Sequence, residues 1–141
     1  MGSTELDNLA RIEKLKREPS AKAELESLTR SGDARLKDAA NTALSLESRF
    51  DLAYNAAHAL SLAALRFHGY RSDSRYLVFQ TLVHTVSLSA EQCRVLDDAH
   101  RKRNAVEYEG IVDVDEQLVA AVIRVSTEIS KRVRKLIADI G

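Results

Sequence analysis

The chain has 141 residues, with 21 basic and 21 acidic side chains that cancel to a net charge of zero, and 45% of it is hydrophobic. That length suits one domain of roughly 100–200 residues, and the apolar fraction excludes a disordered chain. One Pro, five Gly and no Trp, with abundant Ala, Leu, Glu, Lys and Arg, exclude a turn-rich β fold, and neutrality excludes a broad phosphate-coating surface.

Periodicity predicts a first helix over Thr4–Lys16, on Leu6, Leu9, Ile12 and Leu15, ending before Pro19. A second is predicted over Ser20–Arg30, with Ser20 as N-cap and Ser31-Gly32 as its stop, and a third over Asp33–Ser45. These short N-terminal helices, residues 1–45, are expected as an extension packed on a bundle of residues 46–141. A fourth helix, Leu46–His68, carries Phe50, Ala53, Tyr54, Ala57, Leu60, Ala64 and Phe67 at 3/4 spacing, and Gly69 is its expected stop. Small residues at Ala56, Ala59 and Ala63 widen its apolar sector and permit close approach by a neighbour. A fifth is predicted over Ser74–Thr85, with Tyr76, Phe79, Leu82, Val83 and Val86. Ser89-Ala90-Glu91-Gln92 has the form of a capping box and opens a sixth, which runs to Tyr108 before Gly110. The last, Val114–Ile140, repeats Leu118, Val122, Val125, Ile129, Val133, Leu136 and Ile140. The expected fold is all-α, an antiparallel helical bundle.

The charges are balanced through residue 110 and then separate. Residues 111–119 carry Asp113, Asp115 and Glu116 and no base, while Arg124, Lys131, Arg132, Arg134 and Lys135, against Glu128 and Asp139, lie along the rest of the last helix. This order complements the helix dipole; the alternative is a basic face for an anionic partner. One cysteine, Cys93, leaves no intramolecular disulfide and falls near an apolar face, as a core residue does. No apolar run approaches the ~18 residues of a membrane span. The opening MGSTELDNLARIEKLK has no apolar stretch of a secretory signal. The expected location is cytoplasmic.

Few motifs carry chemistry. His58, His68, His84 and His100 stand apart, without a partner three or four residues away, so no local metal site is expected. No Gly-rich phosphate loop or Gly-x-Ser-x-Gly elbow points to a cofactor or a serine nucleophile. The informative stretch is His100-Arg101-Lys102-Arg103-Asn104-Ala105-Val106-Glu107-Tyr108. At ~100° per residue, Arg103 falls about 20° from Leu96, with His100 and Glu107 on the same side, and Arg101 and Lys102 turned away. A guanidinium aimed at an apolar stripe needs partners. One reading pairs Arg103 with Glu107 or Asp97 to pin the packing. The other makes it the head of a phosphate-binding groove. Asp51, Asn55 and His58 step by 4 and 3 along the fourth helix, with Arg66 beyond; facing Arg103, they would complete a polar pocket, and otherwise they form that helix's solvated edge.

At these residues the sequence resembles the HEPN superfamily of small helical bundles. The resemblance rests on Phe50-Asp51-Leu52-Ala53-Tyr54-Asn55-Ala56-Ala57-His58, on Leu65 with Gly69-Tyr70, and on Arg103-Asn104-x-x-x-Tyr108, and covers roughly residues 46–140. It implies a homodimer with a metal-independent ribonuclease site built from both protomers. Arg103 would then stabilise phosphate and Asn104 support it. The family's histidine position holds Tyr108, whose unperturbed pKa of ~10, against ~6.5 for histidine, makes it a poor general base at neutral pH. His100, His58 or Tyr108 itself would have to stand in. The resemblance therefore implies binding of RNA or nucleotide phosphates with weak or no cleavage. It also implies a toxin–antitoxin, stress or defence setting and an antitoxin or nucleotidyltransferase partner. The alternative is a non-catalytic module that docks another protein.

Overall fold

The computed structural model describes residues 4–140; residues 1–3 and 141, at the ends of the two expected segments, lie outside the described residues. It is a mostly helical bundle built around α3. In chain order the elements are α1 (Thr4–Arg11), β1 (Lys16–Arg17), α2 (Lys22–Ala39), α3 (Leu46–Phe67), β2 (Tyr70–Arg71), α4 (Arg75–Gln80), α5 (Leu82–Thr85), α6 (Ala90–Glu109) and α7 (Glu116–Ala138).

The N-terminal third departs most from expectation. The helix expected over Thr4–Lys16 stops at Arg11, and Glu13 turns the chain at a positive φ of 62°. The chain then extends, so that Lys16 pairs with Arg71 and Arg17 with Tyr70 in an antiparallel ladder. Leu6 and Leu15 are buried there with Leu65, Tyr70 and Val78 in a small second core, while Ile12 of the expected stripe is exposed. Leu15 thus reaches the interior through a turn, and not by helical register.

The expected second and third helices are one continuous helix, α2. Ser20 is not its cap: Ala21 occupies that position without a side-chain bond. Gly32 does not stop it, because Gly32 is buried where α2 crosses α3. A Cβ on Gly32 would lie 2.5 Å from Leu60 Cγ and 2.8 Å from its Cδ2. Glycine inside a helix costs ~1 kcal/mol relative to alanine; here its missing side chain is what lets the two helices meet. Gly32→Ala is therefore expected to lose ~1–2 kcal/mol despite better helix propensity, because overpacking outweighs it. Urea unfolding measures this, and Leu60→Ala should cost less in the Gly32→Ala background than alone, since the two share one space.

Local chemistry sets most other boundaries. The Ser45 hydroxyl accepts from Ser48 N at 3.1 Å and opens α3, and Gly69, at φ 86°, follows its last turn. The helix expected over 74–85 breaks at Thr81, whose hydroxyl bonds Val78 O at 2.8 Å, leaving α4 and α5; of its expected apolar residues Phe79, Leu82 and Val86 are buried, while Tyr76 and Val83 are exposed. Ser89 and Gln92 form the capping box of α6, and Gly110, at φ 70°, ends it. Asp115 accepts from Leu118 N at 2.8 Å and opens α7.

One core unites α2, α3, α6 and α7. Leu25, Leu36 and Ala39 of α2 join Phe50, Ala53, Tyr54, Ala57, Leu60 and Ala64 of α3, so residues from both sides of position 45 share it. The buried stripe of α7 runs through Val119, Val122, Val125, Ile129, Val133 and Ile137. Leu118 and Leu136, five helical turns apart, share one edge of the stripe and are only half-buried, and Ile140, beyond the end of α7, is exposed. Part of the basic excess of α7 is spent internally: Arg134 pairs with Asp33, and Arg132 pairs with Glu128 while donating to Val86 O and Ser87 O. Cys93 packs beside the core, and burial raises its thiol pKa. No described helix is long and apolar enough to cross a membrane.

Candidate functional site

The centre of the site is Tyr54, which α3 buries to 1% exposure between α4 and α6. Its ring carries guanidinium groups from two helices, Arg103 Cζ of α6 at 5.2 Å and Arg75 Cζ of α4 at 5.6 Å from its centroid. Both distances suit cation–π attraction. Arg103 Nη1 donates to Asp51 Oδ1 at 3.1 Å, and Arg75 Nη1 donates to Asn55 Oδ1 at 3.3 Å. Two acceptors on successive turns of α3 thus aim two cations at one aromatic ring.

Asp51 and Asn55 are therefore not an idle polar edge; they face Arg103 and Arg75. The partner of Arg103 is Asp51, and neither Glu107 nor Asp97 pairs with it; Asp97 accepts from Gln80 Nε2 at 2.7 Å. Arg66 belongs to another region. It lies 1% exposed on a different side of α3, in an ion pair with Glu24.

Histidine and amide chemistry complete the cluster. Tyr54 Oη lies 3.0 Å from His100 Nδ1, and Asn104 Nδ2 lies 3.3 Å from His100 Nε2. With Asn104 presenting its amide nitrogen, Nε2 accepts, so the ring proton sits on Nδ1 and is donated to Tyr54 Oη. Turning the amide over reverses the tautomer and keeps the ring neutral. Burial also lowers the His100 pKa, opposed by the Asp97 carboxylate and reinforced by Arg75. Burial pushes Tyr54 the other way, above its ordinary value.

His58 is one turn further along α3, edge-on to Phe79 at 6.2 Å between centroids. Burial, aided by the Arg75 charge, lowers its pKa to about 4. It stands as a neutral ring at neutral pH.

The Arg-Asn-x3-Tyr segment is not gathered within one chain. Arg103 reaches Asp51 of α3 and Asn104 reaches His100 of its own helix, whereas the Tyr108 side chain, five residues beyond Arg103, is 79% exposed and bonds no other described residue. The imidazole placed beside Arg103 is His100, through Tyr54. No protein-family model matches the chain, and no curated protein matches it in sequence.

Two members of the cluster were not legible from spacing. Arg75 is one of several bases in a charge-balanced stretch, and only its approach to Tyr54 distinguishes it. Tyr76, expected as a core residue of its helix, is 54% exposed and rests on the His100 ring at 5.8 Å. Their one local signal is the Ser74 cap, whose hydroxyl accepts from Leu77 N at 3.2 Å and so sets where the helix begins.

Beside Arg103 opens a groove of ≈ 640 Å³, lined by Leu44, Phe50, Leu52, Val106, Val112 and Val114, with Glu47, Asp51 and Glu107 among its polar residues. Among the described residues no group of three or more His, Cys, Asp or Glu is arranged to hold a metal ion.

Proposed function

We propose that this chain is an HEPN-like protein, an antiparallel helical bundle working as a cytoplasmic homodimer, that binds RNA or nucleotide phosphates at the Arg103–Asn104 site. The observation that carries this reading is the convergence of Arg75 and Arg103 on Tyr54. Each guanidinium spends one donor on an α3 acceptor, and a guanidinium has five. The remainder form a planar, multi-donor pair suited to phosphate oxygens. A phosphate would compete with Asp51 for Arg103, and the counterions released as the two arginines neutralise phosphates make the affinity salt-dependent.

Cleavage is weak or absent in this reading. Tyr108 stands where the family's histidine would be, and the nearby His100 has both ring nitrogens engaged. Catalysis would need His100 to exchange one of those bonds for the substrate, with Arg103 stabilising charge on phosphorus. A toxin–antitoxin, stress or defence role, beside an antitoxin or nucleotidyltransferase, follows from the same resemblance.

Fluorescence anisotropy with a labelled mixed-sequence RNA tests the site. Arg103→Ala and Arg75→Ala should each weaken binding roughly tenfold and lower the salt slope by about 1. Equal affinity in wild type and both variants, or no binding by wild type, would sink the proposal. Sedimentation at micromolar concentration giving only monomer would remove the homodimer.

The groove favours a second reading, a non-catalytic module that docks another protein. Leu44 and Val112 line it and are exposed, and apolar surface open to water is where partner helices lodge. A stoichiometric partner from the native host whose binding ignores Arg103 and Tyr108 but is lost in Val112→Glu would select this reading.

A further inference from the structure

Three Phe and four Tyr are all the Phe and Tyr rings in this chain. Phe50, Tyr54, Tyr76 and Phe79 gather between α3, α4 and α6, together with His58 and His100. The rings form a graded series. Phe50 stacks on Tyr54 at 6.3 Å, Tyr54 stacks on His100 at 6.3 Å, and Tyr76 leans on His100 at 5.8 Å with 46° between planes. Phe50 and Tyr54 are buried, His100 is half-buried, and Tyr76 ends the series at 54% exposure. A run of rings thus leads from the core to the surface and stops at an open aromatic.

Its position relative to the cations gives that ring a use. Tyr76 follows Arg75 directly, and His100, on which it rests, bonds the same Tyr54 that both guanidiniums cover. An exposed aromatic joined through His100 to the ring that two guanidiniums cover can receive an unpaired nucleobase while the arginines take its phosphate. Contact with His100 already restricts the Tyr76 ring, so stacking a further plane on it sacrifices little rotational freedom. A ligand of bare phosphates would use the arginines and leave the ring unused.

We infer that Tyr76 is a base-stacking platform and makes the site selective for phosphates that carry an unpaired nucleobase. Single-stranded RNA and free nucleotides share this chemistry; duplex RNA and inorganic polyphosphate lack it. The inference rests on Arg75 and Arg103 being the phosphate-binding pair.

The chain contains no tryptophan, so Tyr76→Trp introduces a single indole at the platform. Titration with a twelve-nucleotide single-stranded RNA should quench its fluorescence, titration with a nucleoside monophosphate should quench it at higher concentration, and inorganic tripolyphosphate should leave it unchanged. In anisotropy competition, Tyr76→Ala should weaken single-stranded RNA on the order of tenfold while shifting tripolyphosphate by less than about twofold. Tyr76→Phe should behave as wild type, and the wild type should prefer the single strand to its duplex. Melting curves establish that each variant is folded.

Unchanged single-strand affinity in Tyr76→Ala, with affinity lost in Arg103→Ala, overturns the platform and leaves the phosphate site standing. Equal loss toward tripolyphosphate and RNA in Tyr76→Ala also overturns it, because Tyr76 would then act by positioning Arg75. Absence of any binding by wild type overturns both the platform and the site.

Discussion

Replacing Arg66 with alanine should destabilise the protein by about 3–5 kcal/mol, the largest effect expected of any single polar side chain here. Arg66 is 1% exposed and its donors are all engaged. Nε donates to Glu24 Oε2 at 2.8 Å, and Nη2 to Glu24 Oε1 at 3.1 Å and to Pro19 O at 3.0 Å. Nη1 donates to Glu18 O at 2.7 Å and, more weakly, to Tyr70 O at 3.4 Å. A guanidinium offers five N–H groups in a fixed fork, and these five bonds use them all. Alanine would leave the Glu24 carboxylate to Arg71 alone and the three carbonyls without this donor, around a void. Lysine, with three donors on one nitrogen, should recover only part of the loss.

The consequence is architectural. The bonds of Arg66 tie α3 to the start of α2 and to both strands' ends, so the variant should loosen residues 15–24 and 69–72 before the main core. Urea unfolding gives the magnitude, and amide exchange in Lys16–Arg17 and Tyr70–Arg71 shows the local opening. Arg71→Ala is the control. Arg71 pairs with the same Glu18 and Glu24 but is largely solvated, so its loss should cost no more than ~1 kcal/mol. A cost for Arg66→Ala close to that of Arg71→Ala would refute the assignment. The pKa values of Glu18 and Glu24 are lowered, first by hydrogen bonds from Arg71 and Arg66 respectively. Their contribution is present above the ordinary carboxylate range and is lost as pH falls through the folded values.

The second large effect is on acid stability. His58 titrates at about 4 in the fold because burial, and then the Arg75 charge, oppose its protonation; in an unfolded chain a histidine titrates near ~6.5. Between these values the unfolded chain holds a proton that the folded chain does not. The His58 contribution therefore lowers stability as pH drops from ~6.5 to ~4 and changes no further below that. Because the ring keeps some contact with solvent, the share due to His58 is about 2 kcal/mol, less than the full shift would give. Burial also lowers His68 and His100, which adds loss of the same sign. Urea midpoints at pH 7.5 and pH 4.5 measure the total, and His58→Asn should flatten the curve by its own share. The pH titration of the His58 ring proton signals by NMR provides the direct check, and a midpoint near 6.5 would remove the effect. The same chemistry bears on function: with both imidazoles neutral at neutral pH, the site's positive charge comes from Arg75 and Arg103 alone.

The zero net charge does not distinguish these regions, and placing the charges does. Arg66 and Arg103 lie on packed helices, α3 and α6, and look alike in spacing, each near an apolar stripe. One is sealed with two glutamates and carbonyls at a chain crossing; the other is half-open, with a single carboxylate and an aromatic face. No count of charges separates a structural cation from one able to receive a ligand. Partners and exposure do.

What could be read directly from the residues were features decided within a turn or two of chain. The bounds of α3 and α6, the capping box at Ser89, the stops at Gly69 and Gly110, and the apolar sector of α3 all follow from caps and 3.6-residue spacing, which act locally. The meeting of Asp51 with Arg103 was legible as one alternative, because both lie on helical faces; which alternative holds depends on how α3 and α6 meet, and Asn55 meets Arg75 of α4 instead. Gly32 inside a helix, Leu15 buried through a turn, Arg66 closing over Glu24, and Arg75 and Tyr76 arriving at Tyr54 were not legible. Each depends on residues tens of positions apart being brought together. A glycine that looks like a stop becomes a contact only when Leu60 lies across it, and an arginine in a balanced stretch becomes part of a site only when α4 packs against α3.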